Sequence, residues 1–166
     1  MQLERRFFPF EVRVATKNDA AVIEGTGIVY NQLSNVMYGM FREQIAPGAF
    51  SDSIAKRDIR ALWNHNTDFP LGRTGNGTVR VSEGQDGINF ENDPPSTSWG
   101  NDAVASIRRQ DVNQMSFGFV IIEDSWSYGT DNQLIRTVLK GELWELSPVT
   151  FAAYPQTDVA VRSLEA

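Results

Sequence analysis

The amino-acid sequence predicts a mostly β fold with two short flanking helices, which is the α+β class. Many short runs are rich in Val, Ile, Phe and Tyr and are bounded by Asn, Asp or Gly, a pattern typical of strands joined by turns. Two stretches show helical spacing instead. No repeat, low-complexity tract or Pro- or Ser-rich linker interrupts the 166 residues. We therefore expect residues 1–166 to form a single domain.

The strand-like runs extend along most of the chain. We expect strands at 10–14, 22–30, 59–63, 79–81, 88–90, 114–122, 133–139 and 144–151. We expect a first helix at 47–56, where the apolar residues have near-helical spacing. A second helix is expected at 101–109, because this run starts with capping residues and ends with two arginines that suit the helix dipole. The polar segment 67–73 is expected to be a loop.

Charge and composition exclude several classes of protein. The chain has 15 Lys and Arg against 21 Asp and Glu, and a net charge of −6 repels phosphate, so we expect no nucleic-acid partner. No apolar run approaches the roughly 18 residues of a membrane span, so we expect no membrane partner. The N-terminus lacks the apolar region of a secretory signal, which predicts a cytoplasmic location. Without cysteine and with one histidine, the chain has too few zinc ligands, and we expect no metal and no cofactor.

His65 is the sole histidine, and it follows an apolar strand-like run. Histidine is the side chain whose ordinary pKa lies nearest neutrality, which makes it the usual proton shuttle. A lone histidine is more often an ordinary loop residue than a catalytic one. Its position in the sequence does not distinguish these alternatives.

Ser116 is the candidate nucleophile. On a strand, the period of two places Met115, Phe117 and Phe119 on one face and Ser116 and Gly118 on the other. The first face predicts core. The second face offers a hydroxyl beside a residue without a side chain, where a substrate carbonyl can approach closely. A serine on a solvated strand face is the plainer alternative.

Glu145 is the candidate orienting carboxylate. On a regular strand it shares a face with Leu143, Ser147 and Val149, so it is expected among apolar and small neighbours. A carboxylate there can accept a hydrogen bond from a histidine ring and stabilise the cation that forms during proton transfer. The alternative is an exposed glutamate on an edge strand. Four other acidic residues compete for the role: Asp93, Asp102, Asp111 and Glu142.

Five runs, taken together and in order, closely resemble the prohead maturation proteases of tailed bacteriophages. They are 41–50 (FREQIAPGAF), 62–66 (LWNHN), 70–73 (PLGR), 115–119 (MSFGF) and 146–155 (LSPVTFAAYP). The resemblance extends from about Gly25 to Arg162. It implies a fold related to the herpesvirus assemblins, with a β-barrel core and flanking helices.

The resemblance also implies an activity and a setting. Members of this family are serine endopeptidases that act inside the immature capsid, in the cytoplasm of the bacterial host. They cut scaffold or delta-domain segments away from the major capsid protein and finally cut themselves. The expected partners are therefore the major capsid protein and scaffold segments, and a homo-oligomer, as in the assemblins, is an open alternative.

Individual residues take their roles from the matching motifs. His65 matches the family's catalytic histidine and Ser116 its nucleophile, and Glu145 is taken as the acidic third member. The assemblins use a second histidine as their third member, which this chain lacks. Arg162 is the candidate counterpart of the arginine that polarises the assemblin oxyanion site, although a terminal arginine is more often a solvated charge.

Two other functions compete with the protease. A non-catalytic β domain that binds capsid or scaffold protein by surface complementarity would fit a strand-rich acidic chain. A glycosidase would use two carboxylates, but the spacing of the acidic residues identifies no pair. The tryptophans are more simply core or rim than a sugar platform.

Overall fold

The computed structural model describes residues 2–9 and 11–152. These residues form ten strands, two α-helices and a short 3₁₀ turn at Thr74–Asn76. The strands are β1 (Glu4–Arg6), β2 (Arg13–Lys17), β3 (Ala20–Val29), β4 (Phe41–Ile45), β5 (Arg60–Trp63), β6 (Asn66–Arg73), β7 (Val79–Glu83), β8 (Gly87–Asn92), β9 (Gln114–Tyr128) and β10 (Leu134–Val149). The helices are α1 (Ser51–Lys56) and α2 (Ser98–Arg109).

The strands form two sheets. The larger sheet has the order β1-β9-β10-β5-β6, and β4 pairs with the N-terminal part of β10, at residues 134–138. The smaller sheet has the order β2-β3-β8-β7. Neighbouring strands are antiparallel except that β4 and β5 run parallel to β10. Both sheets contribute to one hydrophobic cluster, in which Phe117, Phe119 and Leu143 of the larger sheet join Ile23 and Phe90 of the smaller one.

The mostly β, α+β prediction is confirmed, but the closed barrel is not found among the described residues. The two sheets are open, and no ladder joins an edge of one to an edge of the other within residues 2–9 and 11–152. The apolar faces are instead covered by packing one sheet against the other, as the shared cluster shows. Closure of one sheet on itself is therefore not needed to bury them.

Several strand predictions require correction. The loop expected at 67–73 is wrong, because these residues lie in β6, the edge strand that pairs with β5. An edge strand tolerates Pro70 and Gly72, which lower strand propensity elsewhere. β1 and β4 are also absent from the predicted set. The runs at 133–139 and 144–151 belong to a single long strand, β10.

Both predicted helices are confirmed with shifted starts. α1 begins at Ser51 rather than at 47. α2 begins at Ser98, where Thr97 caps it by accepting a hydrogen bond from the backbone N–H of Gly100 at 3.1 Å. In the described part of the chain, no helix has the length and apolar character needed to cross a bilayer.

Candidate active site

His65 lies in a two-residue hairpin turn between β5 and β6. Trp63 and Asn66 are paired across the turn, and both central residues have positive φ angles, 55° at Asn64 and 59° at His65. Such turns prefer Asn followed by Gly, because both positions are left-handed. A side chain other than glycine in this conformation costs about 1–2 kcal/mol. The turn therefore carries an imidazole at a position where glycine would be more stable.

The hairpin is attached to the end of β10 by hydrogen bonds of Asn64. Its backbone N–H donates to the carbonyl of Pro148 at 3.0 Å, and its Oδ1 accepts the N–H of Thr150 at 2.8 Å. Asn64 thus fills the first turn position and also fixes the turn against its neighbour. The ring of His65 is consequently held at a defined place beside β10.

Ser116 lies on β9 directly opposite Ser147 of β10. The predicted core face is confirmed, because Met115, Phe117 and Phe119 belong to the hydrophobic cluster. The opposite face is also buried, and Ser116 is only 2% exposed. Its Oγ has no hydrogen-bond partner among the described residues. Most buried hydroxyls in folded proteins have a hydrogen-bond partner, so this one differs from an ordinary core serine.

A β-bulge at Trp144 determines the direction of Glu145. Leu143 pairs with Phe119, and Glu145 pairs with Gly118, so one extra residue of β10 lies between two consecutive pairs. Paired residues on antiparallel strands share a face, so Leu143 faces the core with Phe119 while Glu145 faces the side of Ser116. The expected common face of Leu143 and Glu145 is therefore wrong. The bulge reverses the alternation between them.

Gly118 provides the space for the Glu145 side chain. A Cβ atom at residue 118 would lie 2.9 Å from Cγ and 3.3 Å from Cδ of Glu145. Because the first separation is too short for a real Cβ, a side chain at this position would displace the carboxylate. The absent side chain accommodates the carboxylate, and this differs from the expected role of admitting a substrate carbonyl.

Glu145 and His65 form a direct contact. Nδ1 of His65 hydrogen bonds to Oε1 of Glu145, and the two side chains are 12% and 8% exposed. The same oxygen accepts the hydroxyl of Ser147 at 3.2 Å. Because an ionised carboxylate can only accept, Nδ1 carries the proton and Nε2 is left as the basic nitrogen of the neutral ring. Among the described residues, Nε2 has no hydrogen bond.

Three of the four competing carboxylates have ion-pair partners elsewhere, and in the described part of the chain Asp102 makes no contact with His65. Glu142 pairs with Arg57, Asp93 with Arg80 and Asp111 with Arg109. Within residues 2–9 and 11–152, Glu145 is the carboxylate that contacts His65. The same part of the chain holds no cluster of three or more His, Cys, Asp or Glu side chains that suits a metal ion.

One expected contact, between His65 and Ser116, is not made, and one expected residue, Arg162, lies outside the described part of the chain. His65 does not hydrogen bond to Ser116, whose Oγ is unpartnered in the described structure. Catalytic hydrogen bonds of this kind are often long without substrate and shorten when it binds. Arg162, the candidate oxyanion residue, lies outside the described residues. The arrangement therefore presents a buried hydroxyl, a histidine whose Nδ1 contacts a carboxylate, and that carboxylate on the strand next to the hydroxyl.

The family of the chain follows from a match over most of its length. A family described as caudovirus prohead serine protease matches residues 8–166. The chain belongs to this family. It is therefore a serine endopeptidase of bacteriophage capsid maturation, with capsid proteins as its class of substrate and the procapsid as its place of action. Neither a glycosidase nor a purely binding domain agrees with this membership.

Comparisons with individual proteins gave no further relative of the chain. A search of curated proteins and a search of solved structures each found no match. Kinship of this fold with the assemblins consequently stays a prediction.

Sequence reasoning missed the roles of three residues that support the site. Asn64 had a usable signal, because an Asn that opens a two-residue turn between strands predicts a left-handed hairpin turn. The bond from Ser147 had a partial signal, because Ser147 and Glu145 lie two residues apart on one strand and share a face. The role of Gly118 had no such signal. That role depends on which residue of β9 faces Glu145, and the bulge at Trp144 changes this pairing.

Proposed function

We propose that Ser116, His65 and Glu145 form the catalytic triad of this prohead protease. The observation that carries the proposal is the contact between Nδ1 of His65 and the buried carboxylate of Glu145. That carboxylate lies on the strand next to Ser116 and on the same face. A hydroxyl, an imidazole and an orienting carboxylate are the three groups that acyl transfer by a serine protease requires.

Acylation begins when Oγ of Ser116 attacks the carbonyl carbon of the scissile peptide bond. Nε2 of His65 takes the hydroxyl proton, and the carboxylate of Glu145 stabilises the imidazolium that results. The tetrahedral intermediate then collapses, the C–N bond breaks, and His65 returns the proton to the leaving amine. The product is an acyl-enzyme ester on Ser116.

Deacylation repeats these steps with water as the nucleophile. His65 takes a proton from water as the water oxygen attacks the ester carbonyl, and it then donates that proton to Oγ of Ser116. The acid product and the free serine are regenerated.

The developing oxyanion needs hydrogen-bond donors. On the outer edge of β9, the ladder with β1 ends at Phe117 and an isolated bridge from Glu11 reaches Gln114. Met115 and Ser116 lie between these two contacts, and on their other side they pair with Pro148 and Ser147 of β10. Backbone N–H groups near Ser116 are our candidate donors, together with Arg162. Loss of one such donor typically costs about 2.7–4 kcal/mol of transition-state stabilisation.

The substrates we propose are scaffold or delta-domain segments of the major capsid protein, followed by the protease chain itself. Support comes from the family, whose members mature proheads. The capsid protein would be cut only after assembly has brought enzyme and substrate into one shell.

The test is co-expression of the wild-type protease with its capsid protein beside Ser116→Ala and His65→Ala variants. We expect the wild type to shorten the capsid protein and both variants to leave it at full length, because each lacks a group that the acylation step uses. Gel mobility and mass spectrometry of the assembled particles measure the cleavage. A Ser53→Ala variant is the matched control, since Ser53 is a buried serine that hydrogen bonds to β10 through Gly141 and Leu143. Equal cleavage by wild type and both site variants would refute the assignment.

A further inference from the structure

Ser147 is a buried hydroxyl that joins three parts of the site. It is fully buried at 0% exposure and lies opposite Ser116 in the β9–β10 ladder. Its Oγ accepts the backbone N–H of Leu62 at 3.2 Å and donates to Oε1 of Glu145 at 3.2 Å. The mechanism above gives it no proton to transfer. We propose that Ser147 is a positioning residue that orients the Glu145 carboxylate and thereby sets the tautomer of His65, an inference that rests on the proposed triad.

The direction of these hydrogen bonds follows from the chemistry of the three groups. The N–H of Leu62 can only donate, so Oγ of Ser147 accepts there. A serine hydroxyl has one proton, and the carboxylate oxygen of Glu145 is an acceptor. The hydroxyl proton is therefore directed to Glu145. The result is a short chain of hydrogen bonds, from the backbone of β5 through Ser147 to Glu145, whose members reinforce one another in a buried setting.

This chain couples the carboxylate to the hairpin that carries the histidine. Leu62 precedes His65 by three residues, and the hydrogen bond from Leu62 links β5 to β10. Oε1 of Glu145 accepts from both Ser147 and Nδ1 of His65, so two donors on one oxygen restrict rotation of the carboxylate. A carboxylate held in this way keeps the ring proton on Nδ1. Nε2 then stays unprotonated in the neutral ring, as a general base requires.

Ser53 separates this role from that of an ordinary buried serine. It is 4% exposed, donates to the carbonyl of Gly141 at 3.2 Å and accepts the N–H of Leu143 at 3.0 Å. Both serines thus accept one backbone N–H in the interior, and both belong to or contact β10. Only Ser147 also donates to a carboxylate that contacts His65. A change that is purely structural should affect Ser53→Ala and Ser147→Ala alike.

The ring of His65 gives a direct spectroscopic test because it is the chain's only histidine. Selective ¹⁵N labelling of histidine yields one pair of ring signals, whose shifts show which nitrogen carries the proton. In the neutral ring of the wild type we expect the proton on Nδ1. In Ser147→Ala we expect a mixture of the two tautomers, and in Ser53→Ala the wild-type pattern. A wild-type ring protonated on Nε2 would overturn the proposal, even if Ser147→Ala does not fold.

Reaction with a fluorophosphonate, measured on assembled proheads, supplies the kinetic test. In this reaction Oγ of Ser116 bonds to phosphorus, the P–F bond breaks, fluoride leaves, and His65 takes the serine proton. We expect Ser147→Ala to lower the saturating labelling rate by about 10–100-fold, because a hydrogen bond to a charged group is lost. The half-saturating concentration should stay unchanged. Ser147→Thr, which keeps the hydroxyl, should recover most of the rate.

The outcomes distinguish failure of this inference from failure of the triad. If Ser147→Ala reacts as fast as Ser53→Ala, Ser147 has no positioning role, while the triad stands as long as Ser116→Ala is not labelled. If Ser116→Ala is labelled as fast as the wild type, the proposed triad itself is wrong. A reduced rate for Ser147→Ala with a wild-type tautomer pattern would also overturn the positioning role.

Discussion

Glu43 and Glu145 are the two acidic side chains buried among the described residues, at 4% and 6% exposure, but their partners differ. Glu43 lies 2.7 Å from Nε of Arg6 and 3.7 Å from Nη1 of Arg136. Glu145 contacts the ring of His65 and the hydroxyl of Ser147. Arginine keeps its charge at all ordinary pH values, whereas a histidine ring can take up and release a proton. Glu43 therefore has permanent counter-charges, and the partner of Glu145 can change its charge.

The ion pairs around Glu43 form a cluster in which each arginine also has a second acidic partner. Arg6 also pairs with Glu4 at 2.6 Å, and Arg136 pairs with Asp124 at 2.9 Å. Burial favours a lower pKa for the Arg6 guanidinium, but Glu43 and Glu4 outweigh this effect and raise its pKa above the ordinary value. The cluster links β1, β4, β9 and β10. Burial of a carboxylate is thus not enough to identify a functional group, and the nature of its partner is more informative.

The largest effect is expected from Glu145→Gln. The amide of glutamine can donate to Nδ1, which would place the ring proton on Nε2 and remove the base. We expect the rate of capsid-protein cleavage to fall by about 10³–10⁴-fold, as in other enzymes whose triad carboxylate is replaced by an amide. The thermal midpoint should change by only a few degrees, since shape is nearly retained. Single-turnover cleavage and thermal unfolding measure the two quantities. A variant with more than a tenth of the wild-type rate would remove Glu145 from the triad.

Glu43→Gln is expected to affect stability instead of chemistry. It leaves two largely buried arginines without their shared counter-charge, and breaking a buried ion pair costs about 3–5 kcal/mol. Because Glu4 and Asp124 remain, we expect the lower end, about 3 kcal/mol. This corresponds to a fall of roughly 6–12 °C in Tm for a chain of this size. Well below that Tm, the labelling rate of Ser116 should stay within about threefold of wild type. Lost labelling in a folded Glu43→Gln protein would contradict the comparison.

Arg80→Gln is expected to have the smallest effect, because its ion pair is exposed. Arg80 and Asp93 lie 2.8 Å apart with side chains 45% and 50% exposed. The hydrogen bond from Arg80 holds the pKa of Asp93 below its ordinary value. A lowered folded-state pKa stabilises the protein above the unfolded-state pKa, and this contribution is lost as the pH falls through the folded-state pKa.

We expect Arg80→Gln to cost less than about 1 kcal/mol at pH 7, since solvent screens the pair. The difference from wild type should shrink in about 1 M salt and below about pH 4. Urea unfolding at two pH values and two salt concentrations measures it. A cost as large as that of Glu43→Gln would show that burial is not what distinguishes the two pairs.

The predictability of the site differs between its residues. The alternation around Ser116 was enough to predict the two faces of β9, because each face follows from a period of two within one strand. The contact between His65 and Glu145 was proposed from residue chemistry and a family resemblance, and the structure brings the two side chains together. The face of Glu145 was predicted wrongly. Alternation fails there because the extra residue at Trp144 is invisible without knowledge of the partner strand.

The strands of the fold also differ in how well the sequence predicts them. Strands with clear alternation of apolar residues, such as β9 and β3, were predicted. β4 and β6 were missed, since their sequences contain charged residues, proline or glycine. β4 becomes a strand because it pairs with β10, and its buried glutamate has arginine partners from β1 and β10. β6 becomes a strand because it pairs with β5 across the hairpin turn. Pairing with a partner strand outweighed the low strand propensity of these runs.

The sequence alone determined that the protein is mostly β, that a single imidazole is present and that thiol chemistry is excluded. These properties are local or compositional. Tertiary structure decided that the carboxylate at 145 turns away from the core, that a glycine on the next strand makes space for it, and that a serine hydroxyl holds it. The first two depend on the register between two strands, and register is a joint property of both strands that neither contains by itself. The third depends on the side-chain conformations of Ser147 and Glu145, which a sequence does not specify.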